Sequence, residues 1–585
     1  MNQAALENAR ASLLAERNGV GHWEGELSSS ALSTATAVVA LSVIDREKFR
    51  DLIAGGLGWL VANQNEDGGW GDTVLSFSNI STTLLCWGAL GFCDGDSGDD
   101  LAEAESKAEA WVLEEVGSLD AGAITEKVKA RYGKDRTFSV PILMLCAICG
   151  RLGDEREAWR RVLPLPFEVS VVPRKFFGAI RLPVVSYALP ALIAIGHARF
   201  FHAPPRFLPL RWLRRSAWKK ASRMLASVQP STGGFLEATP LTSFVTMALG
   251  SSGQSEHPVV PGALEFLQRS VREDGSWPID TNLATWTTTL AVKSLAASGG
   301  FPGDGGEKVL RWLLDQQYQE VHPFTDTKPG GWAWTDLAGG VPDADDTPGA
   351  LLAIKELGAG REECRVAAAA GVTWLLDLQN RDGGIPTFCR GWGALPFDRS
   401  SQDLTAHTMR AWLAWREMMP EKLRRRIDSA LRRAVRYLEQ HQDEDGAWTP
   451  LWFGNQHVAG ELNRTYATSL VVTALSEVSD DEFPAARLMR RSGLEWLTSV
   501  QRDDGGWGGD RGTPASIEET ALALAALGAS GIRNDAGCEW LRKATEDGKR
   551  FPASPVGFYF AKLWYFERLY PMVWAVEAFG RDAQL

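Results

Sequence analysis

The sequence predicts an all-α fold of paired helices, stacked as an α/α barrel or a solenoid. Three observations lead there: one Gly-rich turn recurs six times, a helical apolar period stands on both sides of each copy, and strand-like alternation is almost absent. The copies are QNEDGGW (Gln64 to Trp70), QPSTGGF (Gln229 to Phe235), VREDGSW (Val271 to Trp277), QNRDGGI (Gln379 to Ile385), HQDEDGAW (His441 to Trp448) and QRDDGGW (Gln501 to Trp507).

The helices before these turns end in patterns such as GLGWLVANQ, AVRYLEQHQ and GLEWLTSVQ, and those after them run as ISTTLLCWGALG, TTTLAVKSLAASG and ETALALAALGASG. The D-G pair supplies the tight turn that ends the first helix of each pair. The last three copies lie about 60 residues apart, which suits stacked helix pairs. Calcium is excluded at NQNEDG, because the twelfth loop position from Asn63 is Val74 where a bidentate Glu is needed. The repeated Trp follow helix-ending turns at a fixed place and are assigned to packing between repeats.

Length and composition set outer bounds. A chain of 585 residues exceeds one ordinary core and predicts two or three domains able to enclose a large interior cavity. A net charge of −12 and a pI near 5.4 exclude nucleic acid, or an anionic membrane held by general electrostatics, as partner. The start MNQAALENARASLLAERNG has no apolar core, so a cytosolic start is expected. Seven cysteines spread over this length fit reduced, buried thiols, and Cys146 with Cys149 fits core packing. The most apolar stretch, Arg181 to Phe201, is broken by Pro183 and Pro190 and falls short of the roughly 20 residues that span a bilayer. A buried helix and a segment dipping into one leaflet both fit it.

Chemistry concentrates in GGVPDADDTPG, where Asp343, Asp345 and Asp346 crowd into four positions. A helix is expected from about Pro348, with Thr347 or Asp346 as its cap. The flanks are greasy, GGWAWTDLAGGVP before and an apolar helix after. Like charges this close in a buried place cannot all ionise, so one carboxyl keeps its proton near neutral pH and becomes an acid held ready. In SQDLTAHTMRAW, Asp403 and His407 stand four apart on one helix face, where the carboxylate can orient and charge the imidazole.

The D-x-D-D-T run at Asp343 to Thr347, the Q-x-x-D-G-x-W turns and the D-x-T-A-H run at Asp403 to His407 together resemble the squalene-hopene cyclase family of class II terpene cyclases, over almost the whole chain. The resemblance implies two α/α barrels around an apolar cavity: a helical segment over 1–20, a first barrel over 21–280 with a membrane-contact segment at 176–210, and a second barrel over 281–585. It implies that Asp345 protonates a terminal alkene of squalene or a related linear polyprene, with Asp343 and Asp346 as charged neighbours, His407 raising its acidity, Asp403 supporting His407 and Tyr466 helping to return the proton. No cofactor and no metal are expected. The expected partners are the polyprene, the cytoplasmic face of the cell membrane in a monotopic association and, as a homodimer, a second copy of the chain. Aromatic walls suit a carbocation, since a desolvated cation over a ring gains about 2 kcal/mol or more. Trp286, Trp334, Phe388, Trp452, Tyr559 and Phe566 are the candidate wall residues.

Several places depart from the family's pattern. Phe388 stands where a tyrosine is usual, Ile385 replaces a repeat Trp, T-P-G follows the aspartates, and the first turn resembles cyclases of head-to-tail C35 polyprenes. Two other enzymes and one scaffold compete with this reading. A protein prenyltransferase β subunit needs an Asp, Cys and His zinc set, and Cys364 and Cys389 lack the partners. A class I synthase needs D-D-x-x-D, for which Asp99, Asp100 and Glu103 in a polar loop are the nearest match. A non-catalytic Trp-rich scaffold leaves Asp345 and His407 unexplained.

Overall fold

The structure is a computed structural model that describes residues 2–585 apart from 94–98, 134, 174–175, 177–178, 180–184, 302–304, 392, 394–395 and 559–561. It is all-α, with β structure confined to two short antiparallel ladders among the described residues: Ser29–Ser30 against Trp277–Pro278, and Val556–Phe558 against Leu563–Tyr565.

In the first half, the helices Ala31–Asp45, Ile80–Cys93, Ser139–Ile148, Val185–His202 and Thr239–Ser251 pack into an inner ring. Arg50–Ala62, Asp99–Val116, Ala121–Tyr132, Glu155–Arg161, Leu208–Ser227 and Val259–Ser270 surround it. In the second half, six inner helices close on themselves: Ala284–Ala297, Asp346–Gly358, Gln402–Trp415, Arg464–Ser476, Ile517–Ala529 and Tyr570–Ala583. The difference between layers follows from patterning. Inner helices are buried nearly all round, as Ile517–Ala529 is from Ile517 to Leu527. Outer ones bury a stripe, as Glu421–Gln440 does with Ile427, Ala430, Leu431, Ala434 and Leu438, while its Arg and Glu face water.

The helix Asn2–Ala15 packs against Tyr570–Ala583 and Asp535–Ala544. Of the apolar stretch from Arg181 to Phe201, residues 181–184 lie outside the described residues. The rest is an inner helix with Pro190 inside and Leu189, Ile193, Ala194, Ile195 and Ala198 buried. Asp99, Asp100 and Glu103 are exposed on a helix start, and all seven cysteines are free thiols.

One set of hydrogen bonds explains the repeated turn. Each Trp indole donates to a Leu carbonyl ten residues earlier: Trp70 to Leu60, Trp277 to Leu267, Trp448 to Leu438 and Trp507 to Leu497. Each Trp amide donates to a Thr hydroxyl on an inner helix, Thr83, Thr34, Thr468 and Thr520 in the same order. The Gln amide donates twice, to the carbonyl of the turn glycine and to the neighbouring outer helix. Gln379 reaches Gly383 and Ala430, and Gln442 reaches Gly446 and Met489. A turn therefore ties three helices together with bonds whose partners are buried or partly buried.

The same bonds reveal two turns that the sequence pattern hides. Trp332 donates to Leu313 and its amide to Thr347, with Gln317 bonding Gly330 across an excursion of the chain. Trp23 donates to Leu13 and its amide to Thr288, which ties the first helix to Ala284–Ala297.

Glycine is obligatory at one place in each turn. Gly505 sits at φ +97°, and a Cβ there would stand 2.5 Å from the Ala536 carbonyl oxygen of the next outer helix. Gly512 has φ +76° with open space around it. Both should lose about 1 kcal/mol on conversion to Ala through backbone conformation. Gly505→Ala should lower the melting temperature well beyond Gly512→Ala, because only the first also drives a methyl into a carbonyl; equal shifts would mean the turn tolerates spreading.

Candidate active site

The second barrel presents its chemistry from the starts of its inner helices. Trp286, Asp346, Asp403, Tyr466, Glu518 and Tyr570 each lie in the first turn of a different one of the six. Asp345 occupies the cap position of Asp346–Gly358, one residue earlier than the expected cap, and the carboxylate that does the capping belongs to Asp343. Its Oδ1 accepts the amides of Asp345 and Asp346, both at 2.8 Å. Thr347 turns away to receive the Trp332 amide at 3.0 Å.

Burial sets the protonation of this cluster. Asp343 is 3% exposed, and its burial pushes it up to about 7 although the two amides pull it back. Asp346 is raised well above the usual carboxylate range by burial, then by Asp343 and Asp345. Asp345 is raised well above it by burial, then by Asp343 and Asp403. No described residue hydrogen-bonds the Asp345 carboxyl, and no cation is among the influences on it, so nothing offsets the burial that favours its protonated form. It is also half-buried while surrounded by protein, the condition of a side chain that lines an internal space.

The other predicted polar residues gather here with one difference. Tyr466 is close enough to feel Asp403 and Asp345, and burial followed by these carboxyls raises its phenol well above its usual range. Asp403 is buried, accepts the Ser401 hydroxyl and does not bond His407. The expectation that Asp403 charges the imidazole is therefore corrected. His407 is held neutral, pushed down to about 3 by burial, then by Arg410 and Lys293. One ring nitrogen faces the Asp345 backbone carbonyl, and Nε2 is buried without a partner.

Beside the acid runs a closed belt of eight aromatic residues. The Trp286 indole donates to the Tyr570 hydroxyl at 3.0 Å. Ring centroids then follow at 6.0 Å from Tyr570 to Tyr565, 6.0 Å to Phe558, 5.8 Å to Trp452, 5.7 Å to Phe397, 5.6 Å to Phe388 and 6.4 Å to Trp334. The Trp286 amide, donating to the Trp334 carbonyl at 3.3 Å, closes the circuit. The edge of Trp286 meets His407 at 6.2 Å, while Tyr466 stacks on Phe453 at 4.5 Å and Phe453 touches Phe558. Phe388, Val341 and Cys389, with Leu236, Trp334 and Phe397, form a small apolar cluster of their own, joined to the continuous core through Phe397.

Four predicted wall residues are thus in the belt. Tyr559 lies outside the described residues. Phe566 has no ring partner among the described residues and pairs through its backbone with Ser28. Its neighbour Tyr565 supplies the ring, because the strand Leu563–Tyr565 alternates faces and a one-residue change of register reverses them. Sequence reasoning also missed Phe397, Phe558 and Tyr570; for Tyr570 the signal was its place in the first turn of an inner helix.

An α/α toroid whose inner helix starts carry a protonated carboxyl cluster beside an aromatic belt has the architecture of the class II terpene cyclases. Residues 282–579 match the squalene-hopene cyclase C-terminal domain and residues 6–145 the N-terminal domain, so the chain belongs to the squalene-hopene cyclase family. It is 27% identical over 533 residues to squalene–hopene cyclase of Alicyclobacillus acidocaldarius, covering 81% of this chain and 78% of that one. It is 28% identical over 342 residues to enfumafungin synthase of Hormonema carpetanum, covering 54% of this chain and only 25% of that longer protein. In fold it is similar to ent-copalyl diphosphate synthase from Streptomyces platensis, with a TM-score of 0.61, 20% identity and coverage of 100% and 99% of the two chains.

The raised carboxyl of Asp343 fixes a pH dependence. Its folded value of about 7 lies above the unfolded 3.8, so the folded state keeps a proton that the unfolded state releases, and stability falls between about pH 4 and about pH 7. Asp343→Asn keeps an acceptor oxygen for the two amides and removes the titration. The difference in melting temperature between the variant and the parent protein should therefore change across that window and level off above it; a constant difference would show that Asp343 is ionised throughout.

Proposed function

We propose that the chain is a class II polyprene cyclase in which Asp345 protonates a terminal C=C bond of squalene or a related linear polyprene and starts its folding into a polycyclic, hopanoid-like terpenoid. The observation that carries this reading is a carboxyl raised well above its ordinary range by burial, with no hydrogen-bond partner among the described residues, half-buried beside eight aromatic residues. An unactivated alkene needs an acid that has not spent its proton on a neighbour. The Asp345 O–H bond breaks, the proton joins the terminal alkene carbon, and the positive charge passes from carbon to carbon as successive double bonds close rings. The belt supplies electron-rich faces that stabilise each cation, by about 2 kcal/mol or more when desolvated, without an atom that bonds to it. Loss of a proton from the last cation, or capture of water there, ends the sequence.

The carboxylate left on Asp345 is disfavoured by Asp343 and Asp403, which supports prompt reprotonation. Tyr466 stands beside both Asp345 and Asp403, in position to pass a proton back. Asp345→Asn should retain the melting temperature and lower product formation from squalene or a linear C35 polyprene by a factor on the order of 10²–10⁴, as loss of a general acid does. Mass spectrometry of the extracted hydrocarbons checks it, and near-normal turnover would refute the assignment.

The substrate's insolubility supports a membrane-bound enzyme, and one surface fits that role. No described helix is long and apolar enough to cross a bilayer. Phe201, Phe207, Leu208, Trp212 and Leu213 are exposed together, Leu208 at 70% and Trp212 at 72%, around the start of Leu208–Ser227. Arg206, Arg211 and Arg215 flank them, as on a surface that dips into the acyl boundary of an anionic, cytoplasmic leaflet. The patch overlaps the end of 176–210 and continues beyond it. Leu208→Glu combined with Trp212→Glu should reduce cosedimentation with phosphatidylserine vesicles several-fold while detergent-dispersed substrate is still converted; undiminished binding would place the contact elsewhere.

A further inference from the structure

The aromatic belt takes two of its rings from one short hairpin, in which Val556–Phe558 runs antiparallel to Leu563–Tyr565 with Gly557 opposite Trp564. Phe558 and Tyr565 meet at 6.0 Å. The Tyr565 hydroxyl lies 2.9 Å from that of Tyr570, which receives the Trp286 indole. A hairpin of two strands is barely stable by itself. What holds its edges therefore fixes which way its rings face, since a slip of one residue turns every side chain over.

The two edges are held from different halves of the chain. On the first strand, Gly557 exchanges backbone bonds with Gly454 at 3.0 and 3.1 Å, and just before it the Ser554 amide donates to Glu518 at 2.7 Å. Both partners belong to the second barrel. Because Gly557 turns its amide and carbonyl to Gly454, its opposite number Trp564 points its own amide away from the ladder. That amide crosses to the first barrel and donates to Asp72 Oδ2 at 2.7 Å, with Asp72 1% and Trp564 3% exposed. The other oxygen of Asp72 takes the Asn79 side-chain amide at 2.9 Å and the Thr82 hydroxyl, at the start of Ile80–Cys93. The Asp72 carbonyl takes the amide of Ala31, the first residue of Ala31–Asp45, at 2.9 Å. The carboxyl is thus fixed to two inner helices of the first barrel with one oxygen aimed at the second. The repeated turn does not itself call for it, since the position two residues after the Trp is Ile279, Pro450 or Gly509 in other copies.

We propose that Asp72 is a positioning residue for the belt: by taking the Trp564 amide, it sets from the first barrel the register at which Phe558 and Tyr565 face the carbocation, and so helps to decide which products form. The inference rests on the proposed cyclase reading. A cation that loses its aromatic face loses stabilisation. It then gives up a proton before the next ring closes.

Asp72→Asn tests this, because donors approach both carboxyl oxygens and an asparagine must turn an N–H toward one of them. Asp72→Asn combined with Asn79→Asp restores the pairing at the same net charge: the new amide donates to the new carboxylate and keeps its oxygen for Trp564. Position 79 still accepts the Thr82 amide, as Asn79 does at 3.0 Å. In Asp72→Asn, hydrogen exchange in peptides carrying Trp564 should quicken by on the order of tenfold, as for one lost buried hydrogen bond, while Asp346–Gly358 and Gln402–Trp415 keep their protection. Products from squalene or a linear C35 polyprene should shift toward fewer rings, and the double variant should restore both protection and products. If Asp72→Asn does not fold, Asp72→Glu, which keeps the acceptors and displaces them by one methylene, should shift the products in the same direction. An unchanged product ratio with only a lower melting temperature would overturn the proposal. So would a product shift that persists in the double variant after protection returns. If the parent protein makes no cyclised product from either polyprene, the cyclase reading fails instead, and exchange at the hairpin still decides whether Asp72 holds it.

Discussion

Keeping a proton on a carboxyl at neutral pH requires that water be removed from it, and most of the second barrel serves that exclusion. Burial is the largest influence on Asp343, Asp345, Asp346, Asp403 and Tyr466 alike, ahead of any charge. Hydrogen bonds then divide the work within the cluster. Asp343 takes two backbone amides that offset part of its burial, whereas the Asp345 carboxyl takes none among the described residues. The same dryness makes the aromatic belt worthwhile, because cation–π attraction weakens where water competes.

The repeated turns are how the barrel achieves a dry interior at modest stability. An indole N–H, a backbone amide and a glutamine amide bond in turn the preceding outer helix, the following inner helix and the cap of the next outer helix, which ties each inner helix to the layer outside it. The scaffold and the site meet at Thr347, which caps the Trp332 amide with its hydroxyl and follows directly on the acid turn. Of the eight turns, this is the one whose threonine directly follows the aspartate triplet.

What could be read from the sequence was what is local. The turn, the helix period, the aspartate triplet and the Asp403–His407 spacing are contiguous, and Trp286, Trp334, Phe388 and Trp452 lie next to such landmarks. What escaped depended on distant partners. His407 is held neutral by burial, then by Arg410 and Lys293, so an i, i+4 carboxylate misled. Tyr565 and Phe566 differ only in strand parity, which an all-helical reading supplies no means to assign. The turn at Gln317 was hidden because its glutamine and its Trp332 are separated by an excursion that the hydrogen bonds bridge.

The helix Asn2–Ala15 completes the layer around helices from the opposite end of the chain, with the Ala5 carbonyl packed under Gly548 and Trp23 fastened to Thr288. During synthesis at about 5 to 20 residues per second, this helix emerges roughly half a minute or more before its neighbours in Asp535–Ala544 and Tyr570–Ala583. The second barrel cannot shut until Tyr570–Ala583 has been made, and until then its apolar inner faces and the unused side of the first helix stand open together. The last ring contact and the burial of the carboxyl cluster are thus nearly one event.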